Sequence, residues 1–165
     1  MDREIIIIAH NLRSCQNVGS LLRTADGLGV KKVYLTGYTP YPIPEVDTRL
    51  PYLREKIAKR INKTSLGAEN YVDWNHVEDI EKVIVELKSE KYQIIALEQT
   101  EQSVNLEEFT PNIKLAIILG REVEGIESEV LDLADNYVSI PMKGFKESFN
   151  VTLAATMALY KFRYF

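Results

Sequence analysis

Apolar positions along this chain follow two periods. Residues 4–9 (EIIIIA) form a short apolar run, and comparable runs recur at 32–36, 93–97, 115–119 and 137–140. Short runs rich in Ile, Val and Leu and bounded by turn formers predict strands. Between them the spacing turns helical. Val18, Leu21, Leu22, Ala25 and Leu28 make one stripe, which Gly29 closes. Leu50, Leu53, Ile57 and Ile61 mark a second, basic helix in which Pro51 is tolerable only within the first turn. Residues 77–87 and 127–134 predict two more, and Phe149, Leu153 and Met157 line a final one. Pro40, Pro42 and Pro44 keep the connection after the second strand extended. The alternation predicts an α/β fold, a mainly parallel sheet with helices on both faces. Ligands of such sheets sit at the carboxyl ends of the strands.

Composition narrows what this sheet can do. With 165 residues, 45% hydrophobic and 27% charged, the chain suits one domain over residues 1–165. Its longest apolar runs fall far short of the roughly 20 residues that a membrane span needs. Residues 1–4 (MDRE) are no signal peptide, so a cytoplasmic protein without membrane contact is expected. Cys15 is the single cysteine, and His10 and His76 are the only histidines, so no disulfide and no metal are expected. The net charge of −4 argues against a general nucleic-acid coat but leaves room for a local basic patch. The phosphate loop of nucleotide hydrolases, the Ser nucleophile elbow and a Gly-x-Gly-x-x-Gly turn after the first strand are all absent.

Three loops that follow strands carry candidate chemistry: HNLRSCQNVGSLLRTADGLG after the first, GREVEGI after 115–119, and IPMKGFKESFN from residue 140. In the first, Gln16, Gly19, Ser20 and Arg23 share a helical face, which leaves the guanidinium open to an anion or to a surface ion pair. In the second, Gly120 permits close backbone approach and Glu122 is the first carboxylate past the strand. In the third, Ser148 and Asn150 stand where a helix cap is needed. Each loop alone has an ordinary structural explanation; their joint placement at strand ends points to one site.

The segments NVGSLLRTA (17–25), LGREVEG (119–125) and IPMKGFKESFN (140–150) resemble, in order, the three motifs of the SpoU/TrmH branch of the SPOUT superfamily. The likeness covers nearly the whole chain and implies a minimal, catalytic-domain form. One departure is Phe149, where the family usually has Leu. The resemblance implies a C-terminal deep trefoil knot, a rare exception to unknotted folds. It also implies transfer of a methyl group from S-adenosyl-L-methionine to the 2′-hydroxyl of a ribose in RNA. The implied cofactor contacts are Gly120, Ile140, Met142 and Phe149, with the strand end at Leu97 and Glu98. The implied catalytic set is Asn17, Arg23, Glu122, Ser148 and Asn150, with Asn17 holding Arg23 or the ribose and Glu122 orienting Arg23. A guanidinium with a pKa above about 12 keeps its proton, so Arg23 suits clamping a phosphate and stabilising an oxyanion better than acting as base.

Arg49, Arg54, Lys56, Lys59, Arg60 and Lys63 crowd into a stretch whose one acid is Glu55, and with Arg13 they are the candidate RNA contacts. A solvated helix face is the other explanation. YQIIALEQT and LGREVEGI resemble the tRNA D-loop guanosine enzymes of the branch, which favours tRNA over rRNA. Family members form dimers through the knot, so a C2 homodimer is expected with Met157, Leu159 or Tyr160 partly in the interface, unless these residues are core. Two alternatives keep the fold: methylation of a base nitrogen, and a non-catalytic RNA-binding or ribosome-assembly module.

Overall fold

The computed structural model describes residues 2–165. Seven strands form one sheet: β1 (Glu4–His10), β2 (Lys32–Thr36), β3 (Trp74–Val77), β4 (Gln93–Leu97), β5 (Val104–Asn105), β6 (Lys114–Leu119) and β7 (Asn136–Ser139). Their order is β3-β2-β1-β6-β4-β7-β5, and every ladder is parallel. The helices are α1 (Cys15–Gly27), α2 (Pro51–Ser65), α3 (Ile80–Ser89), α4 (Ser128–Leu131) and α5 (Val151–Tyr164), with a 3₁₀ turn at Ala68–Asn70.

The continuous Ile run of β1 follows from burial on both faces. Ile5, Ile7 and Ala9 point into one core with Leu115, Ile117 and Leu119 of β6, against α1 and α5. Ile6 and Ile8 point into the other with Ala116 and Ile118, against Val83, Ile84 and Leu87 of α3. Successive residues of a strand alternate sides, so a central parallel strand must be apolar throughout.

Several expectations change. Residues 74–77 pair with β2 as a short edge strand, so Val77 ends β3 instead of starting a helix. Asp79 then caps α3 by accepting from the amides of Glu81 and Lys82. The helix expected over 127–134 shrinks to one turn, because the amide of Asp135 is bonded to the Ile94 carbonyl and its carboxylate accepts from the Ile94 amide at 2.7 Å, which pulls the chain back to β4. The last helix starts only after the cap at Asn150, so Phe149 lies in the loop before it; Leu153 and Met157 face solvent, and Ala155, Ala158, Leu159 and Phe162 form the buried side. Leu159, fully buried, is core and is no longer an interface candidate. On α2, Ile61 is buried, while Leu53, and Leu50 just ahead of the helix, are exposed.

The expected open face of α1 is also half closed. Gly19 is buried where α2 crosses α1, and a Cβ there would run into Thr64 Oγ1 and the Ile61 carbonyl. Thr64 Oγ1 donates to the Gln16 carbonyl at 2.9 Å at the same crossing. Glycine is thus needed for helix contact, although it is a poor helix former. Gly27, near the end of α1, has open space around it: a Cβ there would meet nothing within 4 Å. Gly19→Ala is expected to cost about 1–3 kcal/mol from overpacking, whereas Gly27→Ala should be neutral or stabilise by up to about 1 kcal/mol. Urea unfolding of the two variants beside wild type checks the contrast.

Candidate functional site

The loops after β1, β6 and β7 converge at the carboxyl edge of the sheet. Ser14 caps α1 by accepting from the Asn17 amide at 3.2 Å. Glu122, from the loop after β6, lies against the same helix end. Its carboxylate accepts from the backbone amides of Arg13 and Ser14 at 3.3 Å and from Asn17 Nδ2 at 3.0 Å. A carboxylate is favoured there, because the first amides of a helix are unpaired donors and carry its positive dipole end. Asn17 passes the connection on: its Oδ1 accepts from Asn150 Nδ2 at 3.3 Å. Asn150 in turn caps α5, accepting from the Thr152 amide at 2.9 Å and its hydroxyl at 2.7 Å. Asn150 is therefore a cap that also reaches Asn17. One side-chain chain, Glu122–Asn17–Asn150, joins all three loops.

Arg23 lies further along α1, exposed and with no hydrogen bond or ion pair among the described residues. Glu122 is bonded to Asn17 and to the loop amides, and neither Glu122 nor Asn17 is bonded to Arg23. The orienting contact expected between Glu122 and Arg23 is absent.

Beside this chain opens a cavity of about 180 Å³. Leu97, Leu119, Ile140, Phe149 and Val151 give it an apolar lining, and Glu98, Gly120, Glu122 and Ser148 also border it. Met142 is not among the lining residues. Gly120 serves its own loop: a Cβ there would lie 2.6 Å from Gly125 C and Ile126 N. Gly125 has a positive φ of 73°, and a Cβ on it would strike the Glu98 carboxylate. Glu98 itself accepts from the amides of Ile126 and Gln99 at 3.0 Å, so its oxygens hold the 120–127 loop in shape. The acids at the cavity, Glu98, Glu122, Glu124 and Glu147, outnumber the one base, Arg121. Apolar walls with a negative rim and no phosphate cradle fit a ligand with a flat apolar part and a positive charge.

The basic candidates divide. Arg54, Lys56, Lys59, Arg60 and Lys63 lie on α2 and form no ion pair among the described residues. Arg49 is a structural residue: it pairs with Asp47 at 2.6 Å, donates to the carbonyls of Tyr41 and Pro42, and stacks on the Tyr41 ring at 3.7 Å. The Arg49 hydrogen bonds pull the Asp47 carboxyl down to about 2. Arg49 therefore fixes the Pro-rich connection, with its guanidinium already held by internal partners. Arg13 pairs with Glu124 at 2.6 Å at the exposed mouth of the cleft.

Sequence reasoning missed Ser14, whose spacing before Asn17 is a readable cap signal. It also missed Arg121, at the cavity, and Asn11 and Glu127, which interact with one another and, through Glu127, with Arg121; none carries a local signal. Among the described residues no cluster of His, Cys, Asp and Glu could hold a metal, and no helix is long and apolar enough to cross a membrane.

The model of the SpoU rRNA Methylase family matches residues 4–160. A tRNA (guanosine(18)-2'-O)-methyltransferase of Borreliella burgdorferi is 30% identical over 157 residues, covering 94% of this chain. The chain spans 64% of that relative's length. Among solved structures, the Aquifex aeolicus TrmH/SpoU tRNA modifying enzyme has a TM-score of 0.76 at 24% identity, covering 96% of this chain and 73% of its own. The SpoU methyltransferase AviRb from Streptomyces viridochromogenes, in complex with the cofactor AdoMet, has a TM-score of 0.77 at 21% identity, covering 98% and 57%. With a family model that matches almost its whole length and a fold shared with solved members, this chain belongs to the SpoU methylase family.

Proposed function

We propose that this protein transfers a methyl group from S-adenosylmethionine to the 2′-hydroxyl of a ribose in RNA, with tRNA as the favoured substrate. The observation that carries the reading is the Glu122–Asn17–Asn150 chain, which joins three loops beside an apolar, acid-rimmed cavity and leaves Arg23 unpaired. The substrate class is supported by the Borreliella burgdorferi relative, which is named for a tRNA guanosine ribose. Leu97, Ile140 and Phe149, with the backbone near Gly120, would hold the cofactor, and the carboxylates of the rim suit its positive charge. When bound, S-adenosylmethionine supplies an already activated sulfonium methyl. The protein then has to align the ribose oxygen and favour loss of its proton.

Ser148, at the cavity, and Asn17, beside it, face the ribose, with Asn17 held by Glu122 on one side and Asn150 on the other. Arg23, free of partners, takes the phosphate next to the reacting ribose and stabilises the developing negative charge on oxygen. The cationic side of α2, from Arg54 to Lys63, carries the RNA beyond the reacting nucleotide; counterion release at such a patch makes binding salt-dependent. The reading includes a cytoplasmic protein working as one catalytic domain over residues 1–165. A C-terminal trefoil knot is part of it, supported by the insertion of β6 between β1 and β4 and by a cavity lined from 97–99, 119–125 and 138–154. A C2 homodimer is supported by α5, where Leu153, Met157, Tyr160 and Tyr164 recur at helical spacing, all more than a third exposed.

Arg23→Lys keeps the charge but loses the planar fork, and single-turnover methyl transfer to saturating tRNA should fall by about 10². Arg23→Ala should be slower still, with cofactor affinity and melting temperature held, because the side chain touches neither core. Wild-type rates in a folded Arg23→Ala protein would remove Arg23 from the mechanism. Leu153→Glu combined with Tyr160→Glu should convert a dimer into a folded monomer in sedimentation equilibrium; a dimer that survives both charges would move the interface elsewhere.

A further inference from the structure

We propose that Glu127 is a positioning residue for the loop that carries Glu122, and that its one unpaired oxygen is where a proton taken up by His10 is held. The inference rests on the methyltransferase reading only for what Glu122 does. It starts from a partly buried polar chain at the end of β1. His10 ends β1 and is 7% exposed. Thr36 Oγ1 donates to the Ala9 carbonyl at 3.4 Å, so it accepts from His10 Nδ1 at 2.9 Å. The proton of the neutral ring therefore sits on Nδ1, and the Nε2 lone pair accepts from Asn11 Nδ2 at 3.0 Å. The second hydrogen of that amide goes to Glu127 Oε1 at 2.9 Å.

Glu127 Oε2 is left over. It lies 3.5 Å from His10 Nε2, buried, with no hydrogen-bond partner. Two acceptors thus face each other away from water, an arrangement that is costly until a proton enters between them. The charged groups around His10 are Glu127 itself and Arg121, whose Nε is 3.6 Å from Glu127 Oε1. On the β2 side Thr36 is uncharged, and from β3 His76 is bonded through Nε2 to the Gly37 carbonyl. Burial lowers the pKa of His10, Glu127 works to raise it and Arg121 to lower it further.

Protonation of His10 Nε2 from solvent replaces the Asn11 bond by a charge-assisted Nε2–H donation to Glu127 Oε2. Backbone bonds between Arg121 and Gly125, at 3.1 and 3.2 Å in the two directions, make the 121–125 segment a tight unit. Glu122 belongs to that unit, and a change of partner at Glu127 is felt at the Glu122–Asn17 contact. Asn11 is also tied to the neighbouring turn, accepting from the Tyr38 amide at 3.1 Å from a left-handed φ of 55°.

The test uses the protein without RNA or cofactor, so it stands or falls apart from methyl transfer. In a His76→Gln background His10 is the only imidazole, and its nitrogen-detected spectrum is followed from about pH 8 down to about pH 5. The expected result is a proton on Nδ1 alone at the higher pH. A second proton then appears on Nε2 on acidification, with the Asn17 and Glu122 amide resonances moving at the same midpoint. Glu127→Gln should lower that midpoint by about one pH unit and uncouple the amides. Glu127→Asp, which keeps the charge but shortens the reach, should also lower it and serves if the first variant folds poorly. A neutral ring protonated on Nε2, a midpoint unmoved by either substitution, or Asn17 and Glu122 amides indifferent to His10 would each overturn the proposal.

Discussion

The Glu122 carboxylate at the amino end of α1 is the contact on which the rest of the site depends. It supplies acceptors to the amides of Arg13 and Ser14 just ahead of the helix, close to its positive dipole end, and it fixes the side chain of Asn17 at 3.0 Å. A hydrogen bond to a charged group contributes about 1.5–3 kcal/mol, and the longer backbone contacts here belong at the low end. The larger effect is geometric. The loop after β6 and the helix after β1 are neighbours only because β1 and β6 pair in parallel over six residues, Glu4 to Ala9 against Lys114 to Leu119. The sheet sets the approach, and the carboxylate makes it specific.

Both ends of this contact are held from behind. On the α1 side, Gly19 lets α2 close in, which keeps the helix from sliding while the basic face of α2 stays in water. On the Glu122 side, Gly120 and Gly125 let the 120–127 loop fold onto itself and onto Glu98, and Glu127 ties its far end to Asn11. Against the upward push of burial, the hydrogen bonds of Asn11 and the loop backbone, the charge of His10 once it is protonated, and that of Arg121 keep the Glu127 carboxyl below its ordinary range. The glycines of this loop thus serve the protein's own close contacts, whereas the sequence alone points Gly120 toward a ligand.

Much of the fold was legible because central strands and amphipathic helices leave strong periodic signals. The Ile run of β1, the stripe of α1 and the buried run of β6 are cases where pattern and burial coincide. The short edge strands were not: residues 74–77 (WNHV) are too few and too polar to stand out, and β5 has two residues. The structural role of Arg49 was hidden for a different reason. Charge density along the chain cannot reveal that one guanidinium folds back onto Asp47 and Tyr41 while its neighbours on α2 do not. At the site, the three motif loops were found from their residues, and the cap read at Asn150 is present, with the same side chain also bonded to Asn17. The partner of Glu122 was misjudged, because whether a carboxylate reaches Asn17 or Arg23 depends on loop geometry that spacing does not encode.

The central claim is that this geometry delivers a methyl group to a ribose oxygen. Wild-type protein incubated with unmodified tRNA and S-adenosylmethionine carrying a labelled methyl group, followed by complete alkaline hydrolysis, tests it most directly. Alkali cleaves RNA through the free 2′-hydroxyl, so a ribose-methylated position survives as a dinucleotide. The account predicts label confined to alkali-stable dinucleotides; label recovered in mononucleotides, which marks a methylated base, or no incorporation into RNA at all would contradict it.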